Sequence, residues 1–181
     1  VLRQFTDAVL LMKNYNGDAD YLHAIKKQID NLGLSGSVRI VDNMPYERMR
    51  DLYRMSTVTV SVPFSDGTPM SVLEAMACGS VPVVSDLPSL REWVRDGWNG
   101  YLVPPTDTDC LAERIIHVFE HPEIAAEYTI RNRKIVEDRA SQAVHMGYMT
   151  DIYRKVLNGV ARNESKKITC QLIALVSSSL L

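Results

Sequence analysis

Two carboxylates, Asp66 and Glu74, stand eight positions apart with a short turn, Gly67-Thr68-Pro69-Met70-Ser71, beginning between them. Ionised carboxylates accept strong hydrogen bonds, and with Asp66 before a helix and Glu74 about one turn into it, both could face one cleft. Gly67 lets the backbone come close to a ligand and adopt positive φ. The N–H groups of Thr68, Met70 and Ser71 fall at or near a helix start, where unpaired donors and the positive end of the dipole attract phosphate. Plainer readings also exist: Asp66 as the cap of a turn, and Glu74 as a solvated first-turn carboxylate favoured by the dipole. The residues alone leave both readings open.

The elements that must hold these groups are legible on either side. Thr57 to Val62 is a β-branched run bounded by Pro63, the pattern of a buried strand. Val72, Leu73, Ala75, Met76 and Ala77 are strong helix formers and end at Gly79, a residue suited to the left-handed position just past a helix. The stretch is strand, tight loop, helix, and in open α/β sheets ligands bind at the carboxyl ends of strands.

The rest of the chain repeats that alternation. Ala8 to Met12 predicts a first strand, and a loop follows over 14–20. Leu22, Ile25, Ile29 and Leu32 have helical spacing, stopped by Gly33. Val38 to Val41 is the next strand. Pro45 suits a first helical position, and Tyr46, Met49, Leu52 and Tyr53 form one face of the helix that follows. Val81 to Val84 is another strand, after which Pro88 opens a helix carrying Leu90, Trp93 and Val94. Tyr101 to Val103 is a last short strand. Asp107 to Phe119 is an amphipathic helix capped by Asp107 or Thr108, and Pro122 breaks the pattern. A charged segment runs from Glu123 to Ala140, and Ala143 to Val160 forms a further helix. Strands alternating with helices give an α/β fold: a Rossmann-like parallel sheet with helices on both faces and right-handed crossovers. Residues 1–160 read as one domain and 161–181 as a tail. Its apolar run, Ile168 to Leu181, is shorter than the ~20 residues of a membrane helix.

Composition excludes several classes. The chain has 181 residues, enough for one well-packed domain, and a formal net charge of −2, without the basic footprint of a nucleic-acid binder. Cys78, Cys110 and Cys170 are widely spaced, show no metal-ligand pattern and fit a reducing cytosol. No G-x-G-x-x-G follows the first strand, which counts against a dinucleotide-dependent oxidoreductase. His117, His121 and His145 are scattered and suggest no catalytic dyad. Glu92 reads as one half of a structural ion pair rather than a cleft carboxylate. The N-terminus is neither a signal peptide nor a start methionine, as expected for a piece of something longer.

Ser65-Asp66-Gly67-Thr68-Pro69 followed by Leu73-Glu74-Ala75-Met76-Ala77-Cys78-Gly79 resembles the signature of the retaining group 1 (family 4) glycosyltransferases of the GT-B fold. Pro82-Val83-Val84-Ser85-Asp86, Arg91-Glu92-Trp93, Asp96-Gly97-Trp98-Asn99-Gly100 and Leu102-Val103-Pro104-Pro105 follow in that family's order and spacing. The family's first carboxylate is usually Glu; here Asp66 keeps the charge one methylene shorter. The resemblance implies the C-terminal, donor-binding half of a GT-B enzyme. It implies a nucleotide-diphosphate sugar as donor substrate, no further cofactor and no required metal. Asp18-Ala19-Asp20 has the form of the metal triplet of a different glycosyltransferase fold, but a helix cap is the stronger reading.

By the same resemblance Glu74 would hold ribose hydroxyls, Asp66 would contact the transferred sugar, and the amides from Gly67 to Ser71 would face the diphosphate. Tyr46 lies where the family's loop flanks the base, though core packing is the preferred reading. The implied activity is retaining hexosyl transfer to a polysaccharide or lipid-linked acceptor, in the cytoplasm or peripheral to the inner face of the membrane. The acceptor-binding N-terminal domain is missing, so the isolated fragment is expected to be inactive. A non-catalytic nucleotide-sugar-binding module and a GT-B-fold nucleotide-sugar epimerase remain as alternatives.

Overall fold

The computed structural model describes residues 1–14 and 18–157. The middle of the expected 14–20 loop, the last three positions of the expected final helix, Cys170 and the tail 161–181 lie outside them.

Strands alternate with helices as the pattern requires. The order is β1 (Leu10–Lys13), α1 (Ala19–Asn31), β2 (Val38–Val41), α2 (Tyr46–Met55), β3 (Val58–Ser61), α3 (Met70–Cys78), β4 (Val81–Ser85), α4 (Pro88–Arg91), β5 (Tyr101–Val103), α5 (Thr108–Glu120), α6 (Pro122–Arg139) and α7 (Gln142–Leu157). Every strand pairing is parallel, in two hydrogen-bonded groups: β1 with β2, and β3–β4–β5 with β4 in the middle.

Local chemistry sets the ends of the elements. Asp18 caps α1, its carboxylate accepting from the amides of Asp20 at 2.8 Å and Tyr21 at 3.4 Å. Asp107 caps α5 by accepting from the Cys110 amide at 2.9 Å. Each satisfies donors that the first turn of a helix leaves unpaired. Gly79 ends α3 at φ 99°, a left-handed cap that costs glycine no Cβ clash. Pro122, which ends the α5 pattern, is itself the first residue of α6, where its missing N–H costs nothing.

Four expectations shift. Gly67 does not take the positive φ expected of it; Gly33, Gly79 and Gly97 are the described glycines that do. Pro45 precedes α2 as its N-cap, so Tyr46 is the first helical residue. The helix opened by Pro88 lasts one turn, to Arg91. Trp93 and Val94 follow it in a turn in which both amides donate to the Leu90 carbonyl. Tyr46 does not join the core: it is 63% exposed, while Met49, Leu52 and Tyr53 are half-buried. A first-turn residue whose side chain leans back past the helix start has no preceding turn to pack against.

The core is built around β4, all five residues of which are buried. A strand covered on both faces reads as an uninterrupted apolar run, which is why Val81-Pro82-Val83-Val84 carries no alternation. On one side Val84 packs with Val72, Leu73 and Met76 of α3 and with Leu90 and Val94. On the other side Val81 and Val83 meet Tyr101 and Val103 of β5, Val118 of α5 and Tyr128 of α6. Burial pushes the Tyr101 phenol up, helped by the Tyr128 hydroxyl 3.4 Å away, so it stays neutral. No described residue before Pro69 is buried.

Candidate functional site

The loop from Val62 to Pro69 leaves the carboxyl end of β3 and delivers the chain into α3. Its root is fixed: the buried Ser85 hydroxyl, at the carboxyl end of β4, donates to the Pro63 carbonyl at 2.7 Å. At the opposite end of the same strand pair, the hydroxyls of Thr59 and Ser80 share a 2.7 Å hydrogen bond. Between root and helix, Phe64 to Thr68 are exposed and Pro69 is buried.

The helix start is largely unoccupied. No side chain caps α3. The amides of Gly67, Thr68, Ser71 and Val72 make no hydrogen bond to the described residues, while the Met70 amide donates to the Thr68 carbonyl at 2.9 Å. The Met70 donor expected from the sequence is therefore engaged within the turn in this conformation, and Val72 supplies one that the sequence reading did not name. The unpaired amides sit at the positive end of the α3 dipole.

Glu74 is half-buried one turn into α3, on the stripe it shares with Met70 and Ser71 rather than with buried Val72, Leu73, Ala75 and Met76. Helical Cα–Cβ bonds tilt toward the N-terminus, so its side chain is directed back toward the open amides. Neither Asp66 nor Glu74 makes a hydrogen bond or ion pair with the described residues. That removes the reading of Asp66 as a cap of this turn. Cys78, at the far end of the nine-residue α3 from the loop, is a poor nucleophile. Burial pushes its thiol up, outweighing the pull of the Arg54 and Arg50 charges.

The remaining ionisable residues do other work. Glu92 makes no side-chain ion pair among the described residues; its carbonyl accepts from Arg139, whose guanidinium lies 4.5 Å from the Trp93 ring centre. The rings of His117 and His121 lie 4.2 Å apart between centres, tilted by 38°, with His121 donating to the His117 carbonyl, and His145 donates to the Arg139 carbonyl. Among the described residues no group of three or more His, Cys, Asp and Glu could hold a metal ion. None of their helices is long and apolar enough to cross a membrane. Asp86 and Arg91, quoted above only as parts of longer motifs, form a two-pronged pair beyond the end of β4, at 2.5 and 2.7 Å.

The chain is an α/β domain of parallel strands with an open helix start, and two carboxylates without partners among the described residues, beyond the carboxyl end of β3, where open α/β sheets bind ligands. The sequence family described as glycosyl transferases group 1 matches residues 4–135, and the chain belongs to that family. EpsD of Bacillus subtilis (strain 168) is 26% identical over 171 residues, covering 90% of this chain and 44% of EpsD. The chain therefore spans less than half the length of that relative. The C-terminal domain of the group 1 glycosyl transferase LpcC from Francisella tularensis superposes with a TM-score of 0.70 at 17% identity, covering 78% of this chain and 74% of that one. Anabaena HepE in complex with UDP superposes with a TM-score of 0.75 at 19% identity over 82% of this chain and 41% of HepE, and its complex with UDP-glucose with a TM-score of 0.74 at 21% identity over 82% of this chain and 40% of HepE. The fold is that of the C-terminal domain of a GT-B glycosyltransferase.

Proposed function

We propose that this chain is the donor-binding domain of a retaining hexosyltransferase, holding a nucleotide-diphosphate sugar at the β3–α3 loop. The single observation that carries the reading is the open helix start: four amides of residues 67–72 without partners, flanked by two carboxylates without partners. The free amides of Gly67, Thr68, Ser71 and Val72 receive the diphosphate. Glu74 accepts from the ribose hydroxyls and Asp66 from those of the transferred sugar. Charge builds on the leaving diphosphate as the glycosidic bond breaks, and fixed donors at a helix start stabilise it without reorganising. The departing phosphate then takes the acceptor's proton, so no separate base is needed on this chain. Binding at the Met70 amide as well would require its contact with Thr68 to open.

The acceptor, a polysaccharide or a lipid-linked sugar, is bound by an N-terminal domain outside this chain, and the full protein works in the cytoplasm or peripheral to the inner face of the membrane. This chain alone binds donor weakly and does not transfer sugar. One feature favours a second reading, a nucleotide-sugar-binding module without catalysis: Asp66 is shorter than the glutamate usual at its position.

The test is a titration of the isotope-labelled chain with UDP-, GDP- and ADP-glucose, read on the amide signals of Gly67, Thr68, Ser71 and Val72, with a parallel melting-point screen. One of the three donors should shift those four signals and raise the melting point. If all three leave the four amides unmoved at millimolar concentration, the donor site is elsewhere or absent.

A further inference from the structure

We propose that the Asp86–Arg91 pair is a sugar-reading site for a neutral hexose, binding the transferred sugar of the donor from the side opposite Asp66; this rests on the donor-domain reading above.

Position is the first ground. β3 and β4 are adjacent and parallel, with Ser61 beside Val84 in register. Asp86 lies two residues past Val84, and its neighbour Ser85 is hydrogen-bonded to Pro63 at the root of the candidate loop. Asp66 is three residues further along that loop, so chain length alone keeps its Cα within roughly 11 Å of that of Pro63. The amide of Asp86 donates to the Val103 carbonyl at 2.9 Å, which fixes the backbone from the β5 side. Leu87 and Leu90, on either side of Pro88 and Ser89, pack into the same cluster as Leu73, the residue before Glu74. The pair is therefore set on anchored backbone at the same carboxyl edge of the sheet as the root of the candidate loop.

Chemistry is the second ground. Arg91 uses Nε and one Nη2 hydrogen on Asp86, leaving roughly three of its five N–H donors unpaired, and the carboxylate keeps about two of its four acceptor sites. The bidentate geometry holds donors and acceptors in one plane. Two neighbouring hydroxyls match this face, one donating to the carboxylate and the other accepting from the guanidinium. The pair has no net charge, so it selects a neutral sugar over an anionic one. Its side chains are 36% and 59% exposed, open to a ligand rather than sealed in the core. In this arrangement Asp86 touches the sugar, and Arg91 both touches it and positions Asp86.

The experiment uses the labelled chain and the nucleoside diphosphate, among UDP, GDP and ADP, that moves the loop amides, together with its glucose ester. The Arg91 Nε–H signal should shift with the sugar ester and stay still with the free diphosphate. Asp86→Asn should weaken the ester about tenfold while leaving the diphosphate within about twofold, since one charge-assisted hydrogen bond separates the two ligands. Arg91→Lys, which keeps the charge and loses the fork, should weaken the ester to a smaller degree. If the loop amides respond but Arg91 is unmoved and Asp86→Asn keeps the ester's advantage, the pair is structural and this site is overturned while the donor reading stands. If the loop amides respond to nothing, both fall together. Should Asp86→Asn not fold, the Arg91 signal of the parent chain decides alone.

Discussion

Replacing Asn99 with alanine should be among the most damaging single changes available in this domain. Asn99 and Asn132 are fully buried. The Asn99 amide nitrogen donates to the Trp93 carbonyl at 2.9 Å and to Asn132 Oδ1 at 2.8 Å, and its oxygen accepts from the Arg95 amide at 2.7 Å. Asn132 returns a 2.8 Å bond to the Asn99 carbonyl. Asn99→Ala strands three polar groups: the Trp93 carbonyl, the Arg95 amide and Asn132 Oδ1. At about 1–2 kcal/mol for the buried Asn132 Oδ1 and about 1 kcal/mol for each of the two part-buried backbone groups, the loss is about 3–4 kcal/mol. A domain of this size is worth only about 5–15 kcal/mol, so the variant should sit near the edge of folding. Asn132→Ala strands two groups, the Asn99 carbonyl and one Asn99 N–H. The double variant strands only three, because each single change already orphans the other's side chain. The two effects should therefore fall short of additivity by about 2–4 kcal/mol. Both tryptophans of the chain, Trp93 and Trp98, lie in this segment. Urea unfolding followed by tryptophan fluorescence would measure all three variants. An Asn99→Ala variant within about 1 kcal/mol of the parent, or an additive double variant, would refute the reasoning.

Other changes should separate binding from stability. Glu74→Ala removes no protein hydrogen bond and gains helix propensity against a small dipole loss, so its melting point should stay within about 3 °C of the parent, while donor affinity drops at least about tenfold. A large melting-point fall with unchanged affinity would make Glu74 structural. Gly100→Ala places a Cβ 2.5 Å from the Pro82 carbonyl oxygen and 2.7 Å from Pro82 Cγ, in the middle of β4. Such overpacking should cost about 1–3 kcal/mol in urea titrations, without touching the loop amides. The Arg91 hydrogen bond and charge hold the Asp86 carboxyl below its ordinary value of 3.8. A depressed value stabilises the native state above 3.8 and is lost as pH falls through the shifted value. The stability difference between parent and Asp86→Asn should therefore shrink on acidification below pH 3.8, and a gap that widens there would contradict the pairing.

Much of the fold was legible because its signals are local. The β-branched runs at Val38–Val41 and Val81–Val84 mark strands within a residue of where they stand. Asp18, Asp107 and Gly79 punctuate helices through bonds that reach only a few residues. The loop between Asp66 and Glu74 was legible for the same reason, since strand, glycine turn and helix are contiguous. Features that depend on distant partners were not. Nothing in the sequence ties Asn99 to Asn132, which meet only because α6 folds back over the turn before β5. Asp86 and Arg91 are five apart, and only the Pro88 turn brings them together. The engaged Met70 amide and the exposed Tyr46 ring follow from how each helix happens to start, a matter of one residue, and sequence patterns place helix ends no more finely than that.

Burial in this molecule is steeply graded along the chain. Among the described residues every buried side chain lies from Pro69 onward, whereas β1, α1, β2 and α2 hold their shape with half-covered contacts. The front segment should therefore breathe on its own. Its amides ought to trade hydrogen for deuterium through local openings, long before the valines of β4 surrender theirs in global unfolding. A ligand clasped at the β3–α3 loop would sit on the boundary between a loose region and a rigid one.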